Sequence, residues 1–141
     1  MLPENELLQY VYKTADMGVV GIEAVLDYAT DPELKKVLRD QMSEYVCCRA
    51  EAEQLLLARS DDGKGVNPIA KMSAEMMATG KLLVDPSTSS IAEMTIQGNN
   101  MGVSKTLRHL HDYPKHDDAR RLTEQLLKIE QANIEQLKPF L

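Results

Sequence analysis

The stretch Ile91 to Tyr113, IAEMTIQGNNMGVSKTLRHLHDY, constrains this chain more than any other. Its flanks read as helix, yet its middle, Gly98-Asn99-Asn100-Met101-Gly102, collects some of the weakest helix formers. Each glycine costs a helix about 1 kcal/mol relative to alanine. A helix that keeps such a middle has to be held by its neighbours, and glycine is what lets another helix come close. The earlier run Asp16-Met17-Gly18-Val19 carries the same pattern. Gly18, Gly98 and Gly102 are therefore the expected points of close helix contact.

The remaining elements follow from periodicity and punctuation. Leu8, Val11, Ala15, Gly18, Ile22, Val25 and Ala29 step by three and four, which predicts an amphipathic helix over 4–29. Asp31 is the natural N-cap and Pro32 the first residue of a second helix, 32–58, with Leu34, Leu38, Gln41, Tyr45, Cys48, Ala52 and Leu55 on its seam. Residues 60–65 read as an exposed loop. Asn67-Pro68 opens a shorter helix to about residue 84, with Ile69, Met72, Met76 and Leu83 apolar. Ser90 and Glu93 fit a capping box for a helix over 90–112. The last helix, 117–138, carries Leu122, Leu126, Ile129 and Leu137. No segment alternates as a strand does, so the chain reads as one all-α domain spanning residues 1–141.

Composition narrows the function classes. Aromatic residues make up only 4% of the chain, with eight methionines and no tryptophan, a core suited to packing helix on helix. The net charge of −6 and the scattered Lys and Arg exclude a phosphate-binding face, so no nucleic-acid partner is expected. No apolar run approaches the ~18 residues of a membrane span. The opening MLPENELLQY has no basic region followed by an apolar run, so no secretory leader is expected. Cys47 and Cys48 are adjacent and poorly placed to bridge each other, which points to a reducing, cytoplasmic setting.

Shifted by 84 residues, the chain matches itself. Met17-Gly18-Val19 falls on Met101-Gly102-Val103, Leu26 on Leu110, Leu38 on Leu122, Gln41 on Gln125 and Glu51 on Glu135. These seven identities over about 45 positions exceed the roughly three that average composition supplies. The expected architecture is an antiparallel four-helix bundle of two pseudo-symmetric helical hairpins, joined by the short extra helix. This layout resembles the ferritin-like superfamily, whose two paired antiparallel helices are linked by a crossover. The IAEM-IQG-NNMG run and the closing KIEQANIEQLKPFL are also similar to small uncharacterised proteins of Gram-positive anaerobes, a likeness that implies no activity.

The di-iron centre that the superfamily resemblance implies does not carry over. It needs a Glu from each of two helices and Glu-x-x-His from each of the other two. The second helix offers Glu44-x-x-Cys47, the last has Lys128 and Gln131 at the matching positions, and all three histidines lie between 109 and 116. No metal and no cofactor is therefore expected at the centre. What remains is a polar centre of Asp16, Gln41, Tyr45, Asn100 and Gln125 near the middle of the four long helices. Its favoured reading is a hydrogen-bonded network fixing helix register, and its alternative is a small-ligand site.

His109, His111, Asp112, His116, Asp117 and Asp118 crowd the turn before the last helix. Imidazole and carboxylate suit zinc or nickel, but His109 and His111 point roughly 200° apart on a helix, and a solvated helix end is the favoured reading. Cys48 reads as a buried small hydrophobe, and Met72, Met76 and Met77 as core or dimer contact. No nucleophile–base pair and no phosphate loop is present. The expectation is a non-enzymatic, self-associating module, a homodimer pairing through an apolar face. The alternative is a degenerate ferritin-like protein that binds a metal or small molecule at the bundle centre or at the His109–His116 turn.

Overall fold

Asp31 and Pro32 act as the sequence predicts. The Asp31 carboxylate accepts hydrogen bonds from the backbone N–H of Glu33 and Leu34 at 2.8 and 3.0 Å, satisfying donors that a helix start leaves unpaired. The computed structural model describes residues 2–65, 80 and 84–141. Among them lie four α-helices and no strand: α1 (Glu4–Leu26), α2 (Pro32–Leu57), α3 (Thr88–His111) and α4 (Asp118–Leu137), with a final 3-10 turn at Lys138–Phe140. The predicted short helix and Met72, Met76 and Met77 lie outside the described residues, apart from Gly80 and Val84. No helix among the described residues is long and apolar enough to cross a membrane.

Three boundaries differ from expectation, each for a local reason. α1 stops at Leu26, because the N–H groups of Tyr28 and Ala29 both turn back to the Val25 carbonyl. Ala29 is still buried, so the apolar stripe outlasts the helix. α3 begins two residues early. Ser87 is its N-cap, accepting from the Ser90 N–H at 3.1 Å, so Ser90 and Glu93 form no capping box. α2 ends in a Schellman turn: Ser60 adopts φ 56° while the N–H of Asp61 reaches back to Leu56 and that of Ser60 to Leu57. That turn folds the following loop onto α1 instead of leaving it in solvent. Asn5 donates to Asp61, and Gln9 accepts from the Lys64 N–H at 2.9 Å.

Side-chain pairs fix how the helices meet. Between α1 and α2, Glu4 pairs with Arg59 and Asp16 with Arg49, and Gly18 abuts Tyr45, so positions ascend on one helix as they descend on the other. Between α3 and α4, Asn99 meets Asn133 and Thr106 meets Glu130. At the turn joining them, Arg120 donates to the Tyr113 carbonyl at 2.7 Å, and the Tyr113 hydroxyl donates to the Asp117 N-cap at 2.5 Å. The core is built from the expected seams. Leu8, Val11, Ala15, Leu34, Leu38, Ala52, Leu122 and Leu126 are fully buried. Near its end the α2 seam drifts by one position, so Leu56 takes the buried place expected for Leu55, as 3.6 residues per turn requires over several turns.

Gly18 and Gly21 make opposite demands. A Cβ on Gly18 stands 2.6 Å from the Tyr45 ring, whereas one on Gly21 meets nothing within 4 Å. Gly18→Ala is expected to destabilise the protein by about 1–3 kcal/mol through overpacking. Gly21→Ala is expected to stabilise it by about 0.5–1 kcal/mol through helix propensity. Urea denaturation of both variants checks the pair, and equal effects refute the packing difference. Ser60→Gly, which removes the Cβ from a left-handed cap, is expected to raise stability by about 1 kcal/mol in the same assay.

Candidate functional site: a carboxylate at the floor of the α1–α3 groove

Gly102 on α3 does what Gly18 does on α1, for a different guest. Where its Cβ would stand lies the Glu130 carboxylate, reaching across from α4. No residue with a side chain fits that position while the carboxylate occupies it. Gly98 differs: a Cβ there meets nothing within 4 Å, and the residue is exposed. The expectation of a close contact at Gly98 is thus corrected. It faces open space, where α3 stands away from α1.

α1 packs mainly on α2 and α3 mainly on α4, and fewer residues meet between α1 and α3. The space left there is a groove of about 650 Å³. Ile22, Val25 and Met94 line its walls, Met17 and Met101 its exposed rims, and Lys13 and Lys105 its mouth. Tyr45, Asn99 and Glu130 are its buried floor. The glycines of α1 and α3, Gly18, Gly21, Gly98 and Gly102, all border it. Small residues on both helices are what make the space.

The floor is a hydrogen-bonded network. The Tyr45 hydroxyl donates to Asn99 Oδ1 at 2.9 Å and accepts from Asn133 Nδ2 at 3.2 Å. Asn99 Nδ2 donates back to the Thr95 carbonyl. Gln41 Nε2 donates to Gln136 Oε1 at 3.0 Å and more weakly to the Asn133 carbonyl. Beside this network runs a second chain. Thr106 donates to Glu130 Oε1 at 2.7 Å, so the Tyr10 hydroxyl, 2.9 Å from Thr106 Oγ1, must be the donor to it. Tyr10 in turn stacks on His109 with ring centroids 3.6 Å apart. His109 Nδ1 donates to the Lys105 carbonyl at 2.8 Å.

Of the five residues predicted for the polar centre, Gln41 and Tyr45 are buried there and both touch Asn133. The other three are corrected. Asn100 is exposed and Asn99 takes its place, because α3 turns positions 91, 95, 99, 102, 106 and 110 towards its neighbours. Gln125 is exposed, since the buried face of α4 runs through Leu122, Leu126, Glu130, Asn133 and Leu137. Asp16 sits at the α1–α2 edge, its carboxylate 2.7 Å from the Arg49 guanidinium. Sequence reasoning missed Asn99, Thr106, Glu130 and Asn133. A signal for two of them was present: Glu130 and Asn133 fall at helical spacing between Leu126 and Leu137, where a carboxylate on an apolar seam marks an unusual burial.

The histidine turn assembles no metal site. Asp117 is spent on the α4 N-cap and Tyr113, His109 turns to Tyr10, and His111 and His116 are exposed. Among the described residues no three His, Cys, Asp or Glu side chains converge. Cys47 is exposed and Cys48 buried, and burial pushes the Cys48 thiol up to about 12. Comparison of the chain with protein-family models, with curated proteins and with solved structures gives no match.

Glu130 is 1% exposed. Burial pushes its carboxyl up to about 7, against the opposing hydrogen bond from Thr106. Burial also raises the Tyr45 phenol, and the nearby Glu130 charge adds to it. Between about pH 4.5 and 7 the folded chain holds a proton that the unfolded chain has lost, so stability falls as the pH rises through that window. The contribution is complete below the lower value, gone above the upper one, and on the order of 3 kcal/mol in total. Denaturation from about pH 4.5 to about pH 8 is expected to show this decline, and Glu130→Gln is expected to flatten it. An unchanged slope in Glu130→Gln refutes the assignment.

Proposed function

We propose that this chain is a non-enzymatic helical module that holds one small, largely apolar molecule in the α1–α3 groove. The observation that carries the reading is Glu130. Its side chain is buried at the floor of a 650 Å³ space, and only one of its two carboxylate oxygens accepts a hydrogen bond among the described residues. A buried carboxylate left half-unpaired costs free energy, and such costs gather where a ligand is bound. A non-enzymatic role is supported by the placement of Thr106, the one hydroxyl bonded to that carboxylate among the described residues, which is buried and does not line the groove as Glu130 does.

The finer architecture belongs to the same proposal: an antiparallel, ferritin-like bundle of two related hairpins within one domain. Two features support it. Contact positions run in opposite senses along α1 and α2, and again along α3 and α4. Gly18 receives residue 45 of its neighbour and Gly102 receives residue 130, nearly the 84-residue shift of the internal match. Iron has no ligand set in this reading, and the polar floor stands in its place. The acidic net charge supports a partner other than nucleic acid, and the free cysteines support a cytoplasmic location.

A second reading, self-association as a homodimer, draws on the apolar rim. Met17 and Met101 are 37% and 61% exposed on the two sides of the groove, and Leu107 on α3 is 48% exposed. A second copy laid across this face covers them. Sedimentation of a monomer at micromolar concentration counts against that reading.

Filling the groove separates ligand binding from other roles. N-phenyl-1-naphthylamine, a neutral apolar fluorophore, is expected to bind saturably at one site per chain. Gly98→Phe, whose side chain projects into open space, is expected to weaken that binding at least tenfold while helical circular dichroism is retained. Non-saturating fluorescence, or binding indifferent to Gly98→Phe, refutes the groove as the site.

A further inference from the structure

The donor groups on and behind the floor of the groove each make at least one hydrogen bond: the Tyr45 hydroxyl with Asn99, the Asn99 amide with the Thr95 carbonyl, the Asn133 amide with Tyr45 and Asn99, and the Thr106 hydroxyl with Glu130. Glu130 Oε2, the oxygen lodged against Gly102, accepts no hydrogen bond among the described residues, and unlike the unpaired Gln41 Oε1 and Asn133 Oδ1 behind the floor it belongs to a residue that lines the groove. Tyr10 and Tyr45 line the same groove. Once Glu130 is ionised, a group with several N–H donors finds a partner in such a floor.

The charged neighbours set the number of positive charges the site tolerates. Tyr10 and Lys13 from α1, Tyr45 from α2, and Lys105 and His109 from α3 share the groove with Glu130, and Cys48 of α2, outside the groove lining, feels its charge. Tyr45 and Cys48 are raised by burial and stay neutral near pH 7. Neither lysine forms an ion pair with Glu130 among the described residues. Both are exposed at the mouth, where they oppose a second cation on the same ligand. The apolar walls take a hydrocarbon body.

We infer that the ligand of this groove is an apolar monoamine whose ammonium group sits on Glu130 Oε2 and whose hydrocarbon body lies between α1 and α3. This rests on the groove reading above and adds the charge of the occupant. Association requires the ionised carboxylate, so affinity rises with pH across the range in which Glu130 loses its proton, while an alkylamine stays protonated throughout.

Calorimetric titration with 2-phenylethylamine and with its neutral isostere 2-phenylethanol tests this. At about pH 8 the amine is expected to bind at least tenfold more tightly than the alcohol. Between about pH 8 and about pH 6 the ionised share of Glu130 drops from about nine-tenths to about one-tenth. Amine affinity is expected to fall roughly tenfold with it, while alcohol affinity holds. Glu130→Gln is expected to bring the two probes within twofold of each other and to abolish the pH response. A response that survives in Glu130→Gln does not come from this carboxylate and overturns the inference. So does equal binding of the two probes at the higher pH, or an amine that does not bind. Binding of N-phenyl-1-naphthylamine then decides whether the groove reading falls as well. If Glu130→Gln fails to fold, the pH series on the unmodified chain decides by itself: amine affinity that does not change with pH overturns the inference.

Discussion

Burying one carboxylate without a cation beside it is the constraint around which this bundle is arranged. Glu130 has room only because position 102 lacks a side chain, and it is held only because Thr106, one turn further along α3, donates to it. Thr106 keeps its hydroxyl turned that way because Tyr10 supplies the next donor from α1. Three helices are therefore tied through one acid. An ionised group in such a place carries a desolvation cost of several kcal/mol, which the protein lowers by letting the group keep its proton towards neutral pH.

The same glycine device serves α1 and α2 with a different guest. Gly18 admits the Tyr45 ring, whose hydroxyl then crosses to Asn99 and Asn133. α2 thus sends a phenol inwards and α4 a carboxylate, so the two helix pairs differ chemically at their centre. Glycines that bring α1 onto α2, and α3 towards α4, leave no bulk on the faces that α1 and α3 turn to each other. The groove follows from that deficit, and its floor consists of the polar groups that the glycines admit.

The network behind the floor is not fully satisfied. Gln41 Oε1 and Asn133 Oδ1 are buried without a partner among the described residues. Unpaired acceptors in a helical core are uncommon, and apolar residues pack such positions more stably. Both belong to the network that flanks Glu130, which matches the wider pattern in which local rules are broken near a binding site. The apolar ends of the bundle, built on Leu7, Leu34 and Leu137, bury their side chains completely and supply the stability that this centre lacks.

Four helices and most of their core were legible in the sequence, because caps, prolines and a three-and-four apolar spacing act locally. Asp31 with Pro32 starts α2 from information contained in four residues. The α1 seam from Leu8 to Val25 needs no knowledge of its partner to be recognised as buried, and Gly18 and Gly102 could be picked out by their cost to a helix. The identity of the inward polar residues was a tertiary decision. Successive residues on a helix stand about 100° apart, so Asn99 and Asn100 compete for the interior with nothing local to separate them. The apolar residues of α3 trace no single stripe that could break the tie. Tyr45 and Asn133 break it from two other helices. Glu130 was passed over for a similar reason: a carboxylate is read as surface until a missing Cβ on a distant helix makes room for it.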